Sequence, residues 1–179
     1  MILIVFWLFS ALANTGSQET IPSPPTDRSL IYILDDQNKL APLPFEQGQT
    51  PLRADAVARN EKVSYIELKG EHSSTVMKAD LRLFLFTSER QGTHPPFLVW
   101  LTGHRGARRV TAVTQSGLRG FAIASEEIIK PAVRVLAREG DMVFMELRPR
   151  ASLVPGEYAI IGDDVTRIAT FRVAESSQH

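Results

Sequence analysis

The sequence predicts an all-β protein: an antiparallel β-sandwich of the immunoglobulin-like kind, preceded by an N-terminal β-hairpin. Three observations carry that expectation. Short runs of β-branched, aromatic and other apolar residues recur at intervals of roughly ten residues with turn residues between them, the spacing of a sandwich or barrel. The run Val63–Leu68 alternates cleanly, with Val63, Tyr65 and Glu67 on one face and Ser64, Ile66 and Leu68 on the other. Near the C-terminus, Leu153-Val154-Pro155-Gly156-Glu157-Tyr158 feeds a Pro-Gly turn into a strand that begins with tyrosine.

The chain opens on a leader. Ile2–Ala13 is an unbroken apolar or small-residue run, long enough for a signal-peptide core but short of the roughly 20 residues of a membrane-spanning helix. Ala11 and Ala13 supply small residues at the two positions that signal peptidase reads, so residues 1–13 are expected to be cut off before Asn14. No Lys or Arg precedes the run, which leaves an uncleaved anchor or a buried strand as alternatives. N-terminal sequencing of exported protein separates them: a chain that still begins at Met1 removes the signal-peptide expectation. Residues 14–28, with Pro22, Pro24 and Pro25 among Gly, Ser and Thr, read as a flexible linker. Residues 29–175 form the single sandwich domain. The expected location is periplasmic or extracellular, with membrane contact only through an uncleaved leader.

Within the domain, Leu30–Leu34 is a strand and Asp35-Asp36-Gln37-Asn38 is turn chemistry. Lys39–Ala41 returns, giving a hairpin expected to pack across one end of the sandwich. Leu81–Phe86 puts Leu81, Leu83 and Leu85 on one face, and Phe97–Leu101 is continuously apolar, as in a strand buried on both sides. Val110–Val113 is expected to pair with it across the turn at Gly103–Gly106. Ser125–Ile129 is the one segment with helix-start chemistry, stopped by Pro131. Ala132–Leu136 is a further strand, and Met142–Leu147, Tyr158–Ile161 and Ile168–Val173 are the last three. At the Pro-Gly turn, Pro155 presets φ and Gly156 is expected at positive φ. Tyr158 is placed to return its hydroxyl to the preceding connection, as in the tyrosine corner of immunoglobulin-like sandwiches. The alternative is a plain hairpin turn followed by a core tyrosine.

Composition narrows the function classes. Hydrophobic residues make up 44% of the 179 and charged residues 22%, a globular balance. With 20 Lys plus Arg against 20 Asp plus Glu, the whole chain has no bias toward nucleic acid. There is no cysteine, which removes disulfides, thiolate metal sites and cysteine nucleophiles together.

Three pieces in order carry a resemblance: Tyr32-Ile33-Leu34-Asp35 with Leu40-Ala41-Pro42-Leu43, then Gly70-Glu71-His72-Ser73 before Leu81–Phe86, then Leu153–Ala159 as Leu-x-Pro-Gly-Glu-Tyr-Ala. Over most of the mature chain this resembles a loose group of uncharacterised exported bacterial β-sandwich proteins. The resemblance implies export and β-architecture, with no assigned activity.

Candidate chemistry is sparse. His72, His94 and His104 lie far apart in sequence without metal-site spacing. No Gly-x-Ser-x-Gly elbow occurs, and Ser73 and Ser74 neighbour His72 on a segment where adjacent side chains diverge. Asp35-Asp36 and Asp163-Asp164 suit turns, although the latter pair also suits a contribution to a calcium site. Glu126-Glu127 suits a helix start as well as it suits a glycosidase pair. Trp100, the one tryptophan outside the leader, falls in a core-like run rather than in an aromatic carbohydrate platform. One local charge cluster stands out: His104, Arg105, Arg108 and Arg109. It suits phosphate, an acidic polysaccharide or an acidic partner; alternatively it solvates a hairpin and blunts an edge strand. No cofactor motif is present. The expected function is a non-catalytic binding or assembly module of the bacterial cell envelope, with another envelope or extracellular protein as partner and no nucleic acid. A hydrolase or metal-dependent enzyme assembled from His72, His94, His104 and nearby acids is the alternative.

Overall fold

The computed structural model describes residues 21–35, 37–46, 55–56, 61–89, 96–115, 122–162 and 167–175. The leader at 1–13, His94 and Asp163-Asp164 lie outside the described residues. The first strands are β1 (Ile31–Leu34), β2 (Leu40–Leu43), β3 (Phe45–Glu46), β4 (Asp55–Ala56), β5 (Glu61–Lys69), β6 (Val76–Met77) and β7 (Leu83–Ser88). They are followed by β8 (Phe97–His104), β9 (Ala107–Gln115), β10 (Ala122–Ile123), β11 (Pro131–Glu139), β12 (Met142–Pro149), β13 (Gly156–Ile161) and β14 (Ile168–Val173). The described residues contain no helix.

The strands form two sheets, and the molecule is an all-β sandwich. One sheet has five strands in the order β11-β12-β7-β1-β2. The other has nine, ordered β3-β14-β13-β8-β9-β5-β4, with β10 beside β9 and β6 beside β14. Pairing is antiparallel except between β6 and β14. The expected N-terminal hairpin is present, with Ile31 opposite Leu43 and Leu34 opposite Leu40. Its placement differs from expectation. Instead of crossing one end, β1 pairs with β7 and extends the five-stranded sheet. Apolar residues on an extended segment gain ladder hydrogen bonds and a core face together by joining a sheet.

The main core lies between the sheets. Leu81, Leu83, Leu85, Met145 and Leu147 from one side meet Leu98, Tyr158, Ile160, Phe171 and Val173 from the other. Alternation assigns these faces, since residues two apart share one side of a strand. A second cluster explains why Phe97–Leu101 is apolar throughout. Val99, Leu101, Ala159, Ile161 and Ile168 point away from the main core and pack with Ile66, Leu68, Val110, Ala112 and Ile123. Thus β5 and β9 fold over the outer face of β8, β13 and β14, and β13 is buried on both faces. Outside the five-stranded sheet, Tyr32, Phe84, Phe86 and Phe144 make a third, aromatic cluster, with Phe86 and Phe144 ring centroids 5.0 Å apart.

Ser125–Ile129 is a turn rather than a helix. Glu127 N donates to Ala124 O at 3.1 Å, after which the chain pairs with β8: Trp100 N donates to Glu127 O at 2.9 Å and Ile129 N to Leu98 O at 2.8 Å. Five residues ahead of a proline close little helix, whereas the amides of β8 need partners along that edge. Glu127 also accepts from Thr111 N at 2.6 Å, tying the turn to β9.

Of the linker, residues 21–28 carry no strand, but its end is held. Asp27 O accepts the Tyr32 hydroxyl at 2.8 Å, and Arg28 pairs with Glu139. Ser29 donates to the Asp27 carboxylate through both its hydroxyl and its amide, which holds that carboxyl below its usual range.

Candidate functional site

The arginine-rich hairpin forms as expected, with Thr102 opposite Arg109, Gly103 opposite Arg108 and His104 opposite Ala107. Its tip is the two-residue turn Arg105-Gly106, with φ of 48° and 77°. Left-handed conformation at both positions is the hallmark of the type I′ turn, whose twist matches that of the strands. Arg105 is exposed there. β9 is not an edge strand, because β5 pairs with it from Glu61–Gln115 to Lys69–Ala107.

The cluster does not stay together. Arg109 turns to the outer side and lies over the Tyr65 ring at 4.3 Å. Arg108 turns inward with Val110 and Ala112 and is 1% exposed. Its Nη2 donates to Glu46 Oε2 at 2.7 Å and to Lys69 O at 2.9 Å. Its Nε donates to Gly70 O at 3.0 Å, and Glu157 Oε2 stands 3.8 Å from its Nη1. Thr170 donates to the same Glu46 carboxylate. A buried guanidinium is tolerable only when its charge and its planar donors are matched, and two carboxylates and two carbonyls do so here. Arg108, whose Nη1 also donates to Thr170 Oγ1 at 3.4 Å, therefore clasps β9 to β3, to β14 and to the end of β5.

The same network takes in part of the expected enzymatic set. His72 Nδ1 is 2.9 Å from Glu157 Oε1, and Ser73 N donates to Glu157 Oε2 at 2.9 Å. Ser73 Oγ contacts Thr170 Oγ1 at 2.9 Å. The Ser73 hydroxyl is thus engaged with Thr170, and the imidazole with Glu157. His104 ends β8. Among the described residues, no group of three or more His, Asp or Glu side chains is arranged to hold a metal.

At the C-terminal turn, Tyr158 Oη donates to Val154 O at 2.6 Å. Burial raises the hydroxyl above its ordinary pKa, so it stays protonated and donating. The ring is edge-on to Trp100 at 5.1 Å and stacked on Phe171 at 5.4 Å. Tyr158→Phe is expected to lose about 0.5–1.5 kcal/mol in urea denaturation; unchanged stability would make the hydrogen bond incidental. Gly156 has a different role from the expected one. Positive φ among the described glycines is confined to Gly70, Gly106 and Gly140. Gly156 instead makes room: a Cβ there would lie 2.8 Å from Trp100 Cη2.

A second arginine cluster escaped the sequence reading. Leu83 pairs with Leu147, which sets Arg82 of the segment entering β7 beside Arg148 of β12. Glu146, with a side chain only 3% exposed, lies between them. Its Oε1 accepts from Arg82 Nε at 2.6 Å and from Arg148 Nη2 at 3.0 Å. Arg150 lines the same cleft. Arg148-Pro149-Arg150 was a visible signal, but Arg82 joins it only through long-range strand pairing.

What fold and site define is an all-β sandwich with a satisfied buried arginine and a surface arginine cleft. Comparison of the chain with protein-family models, with curated proteins and with solved structures finds no match.

Proposed function

We propose that the chain is a non-catalytic exported binding or assembly module of the bacterial cell envelope, built on an immunoglobulin-like sandwich, with another envelope or extracellular protein as partner. The edge of the five-stranded sheet at β11, the outermost strand among the described residues, carries this reading. β11 runs there for nine residues, and Val133 and Val135 are 55% and 47% exposed. Both valines share a face with Leu147 and Met145, their pairing partners on β12. An apolar, hydrogen-bond-ready edge accepts an added strand, with main-chain bonds giving affinity and alternate side chains giving specificity. The ladder shifts register between Val135 and Ala137. That irregularity limits regular pairing to Pro131–Val135 and blunts indiscriminate association.

The immunoglobulin-like assignment has its own support. With β7 as strand B, the order β1-β7-β12-β11 reads A-B-E-D and β9-β8-β13-β14 reads C′-C-F-G. Tyr158 then lies near the start of strand F, with its hydroxyl bonded four residues upstream, as in a tyrosine corner. The resemblance to exported bacterial sandwich proteins points the same way.

The test is in-cell crosslinking of the tagged protein, with Val133→Lys/Val135→Lys beside the unaltered chain. Exposed substitutions of this kind leave stability within about 0.5 kcal/mol. One dominant protein partner is expected, with its capture falling about tenfold in the double variant. Capture that the variant leaves intact would reject β11 as the contact.

A further inference from the structure

We propose that the β11 edge is keyed to a strand of a different chain, one with an acidic residue between two apolar residues, and that it disfavours a second copy of itself. The inference rests on the reading of β11 as an accepting edge and names what that edge accepts. The backbone decides which groups are on offer. Pro131 stands opposite Pro149, and with no N–H on either side this pair cannot exchange hydrogen bonds. It is therefore a non-hydrogen-bonded pair, in which the backbone N and O of each residue point away from the other strand. Alternation makes Val133 and Val135 of the same kind, while Ala132 and Arg134 bond to Arg148 and Glu146 across the ladder. The N–H and C=O groups directed outward thus belong to the two residues whose apolar side chains are exposed. An incoming strand that bonds to Val133 and Val135 meets both valines with one face and Arg134 with the other.

A second copy can bond to both valines in only two registers about a two-fold axis. With Val133 on the axis, Pro131 of each copy comes opposite Val135 of the other, and a proline ring fills the place of the N–H that the Val135 carbonyl needs. With Arg134 on the axis, Val133 and Val135 of the two copies exchange all their outward bonds. The two Arg134 residues then form the close, non-hydrogen-bonded pair, with Cα atoms about 4.5 Å apart. Like charges directly opposite are destabilising, and they are so while each Arg134 retains the interactions it has within its own chain. An acidic residue in that position turns the opposition into an attraction with no backbone bond lost. The strand that fits is therefore antiparallel and reads apolar, acidic, apolar.

Arg134→Glu supplies the probe, because it turns this chain's own β11 into the strand described. The parent, the variant and their equimolar mixture, each chain purified as the cell produces it, are compared by sedimentation. Parent and variant alone should stay monomeric, since each sets like charges opposite each other. The mixture should form a one-to-one dimer about tenfold tighter than either homodimer, and Val133→Lys/Val135→Lys in either chain should abolish it. The register is read separately. The chain has no cysteine, so Val133→Cys in one chain and Val135→Cys in the other should join the mixed dimer by a disulfide, at a Cα separation of about 5.5 Å. A parent dimer that Val133→Lys/Val135→Lys dissolves makes a second copy the occupant and overturns the proposal. A mixture that associates no more tightly than its components overturns it as well. Should Arg134→Glu fail to fold, Arg134→Gln takes its place: it should self-associate where the parent does not, and a monomeric Arg134→Gln overturns the proposal. Either failure leaves β11 as an accepting edge to be judged by the in-cell capture above, which does not involve Arg134.

Discussion

Arg108→Met is expected to destabilise the protein by about 3 kcal/mol, the low end of the 3–5 kcal/mol typical of breaking a buried ion pair from one side. The low end applies because the Glu46 side chain keeps 30% of its exposure and can be partly rehydrated. The carbonyls of Lys69 and Gly70 also lose their donors, and each unsatisfied buried acceptor adds to the cost. Arg108→Lys is the informative companion. It keeps the charge but replaces a five-donor fork with one ammonium, which cannot serve Glu46 and both carbonyls at once. It should fall between the two. Urea denaturation of the three proteins decides the matter. An Arg108→Met midpoint indistinguishable from the parent would mean that the clasp holds nothing, and that β5 and β9 are kept in place by their apolar contacts alone.

Gly156→Ala is expected to lose about 1–3 kcal/mol through overpacking. The new methyl would meet three atoms of the Trp100 ring, at 2.8, 3.0 and 3.3 Å. The ring cannot simply retreat, because it lies edge-on against the buried Tyr158. Gly103→Ala is the control: a Cβ there has open space and should stay within about 0.5 kcal/mol. Shrinking the obstacle gives the sharper test. In the Trp100→Leu background the same Gly156→Ala change should cost much less, a non-additivity expected only of residues in contact. Equal costs in both backgrounds would return Gly156 to a backbone role.

Much of the architecture was legible because strand signals are local. Alternation in Val63–Leu68 put Ser64, Ile66 and Leu68 on one face, and the structure shows that face to be the buried one. The unbroken run Phe97–Leu101 announced burial on two faces, which the main core and the covering layer supply. Where local chemistry was ambiguous, the sequence misled. Ser-Glu-Glu at residues 125–127 is good helix-start chemistry, yet pairing with β8 satisfied the backbone better. Pro-Gly at 155–156 is good type II turn chemistry, yet Gly156 answers to a tryptophan ring in the neighbouring strand. Arg108 was readable in part, since it alternates with Val110 and Ala112; an inward Val110 implies an inward arginine.

By itself, then, the sequence determined the longer strands, the alternation along some of them and the hairpins, because these follow from periodicity and turn residues within a few positions; the two-residue strands β3, β4, β6 and β10 carry no such signal. The tertiary structure decided which strands lie side by side, and with that the fate of every charged group. It divided four neighbouring residues among a hairpin tip, a tyrosine face and a buried clasp. It also drew Arg82 to Arg148 and Arg150 from a distant part of the chain. Charge has no preferred period along a strand; what an arginine meets is set by the partner strand, and strand partnership is long-range.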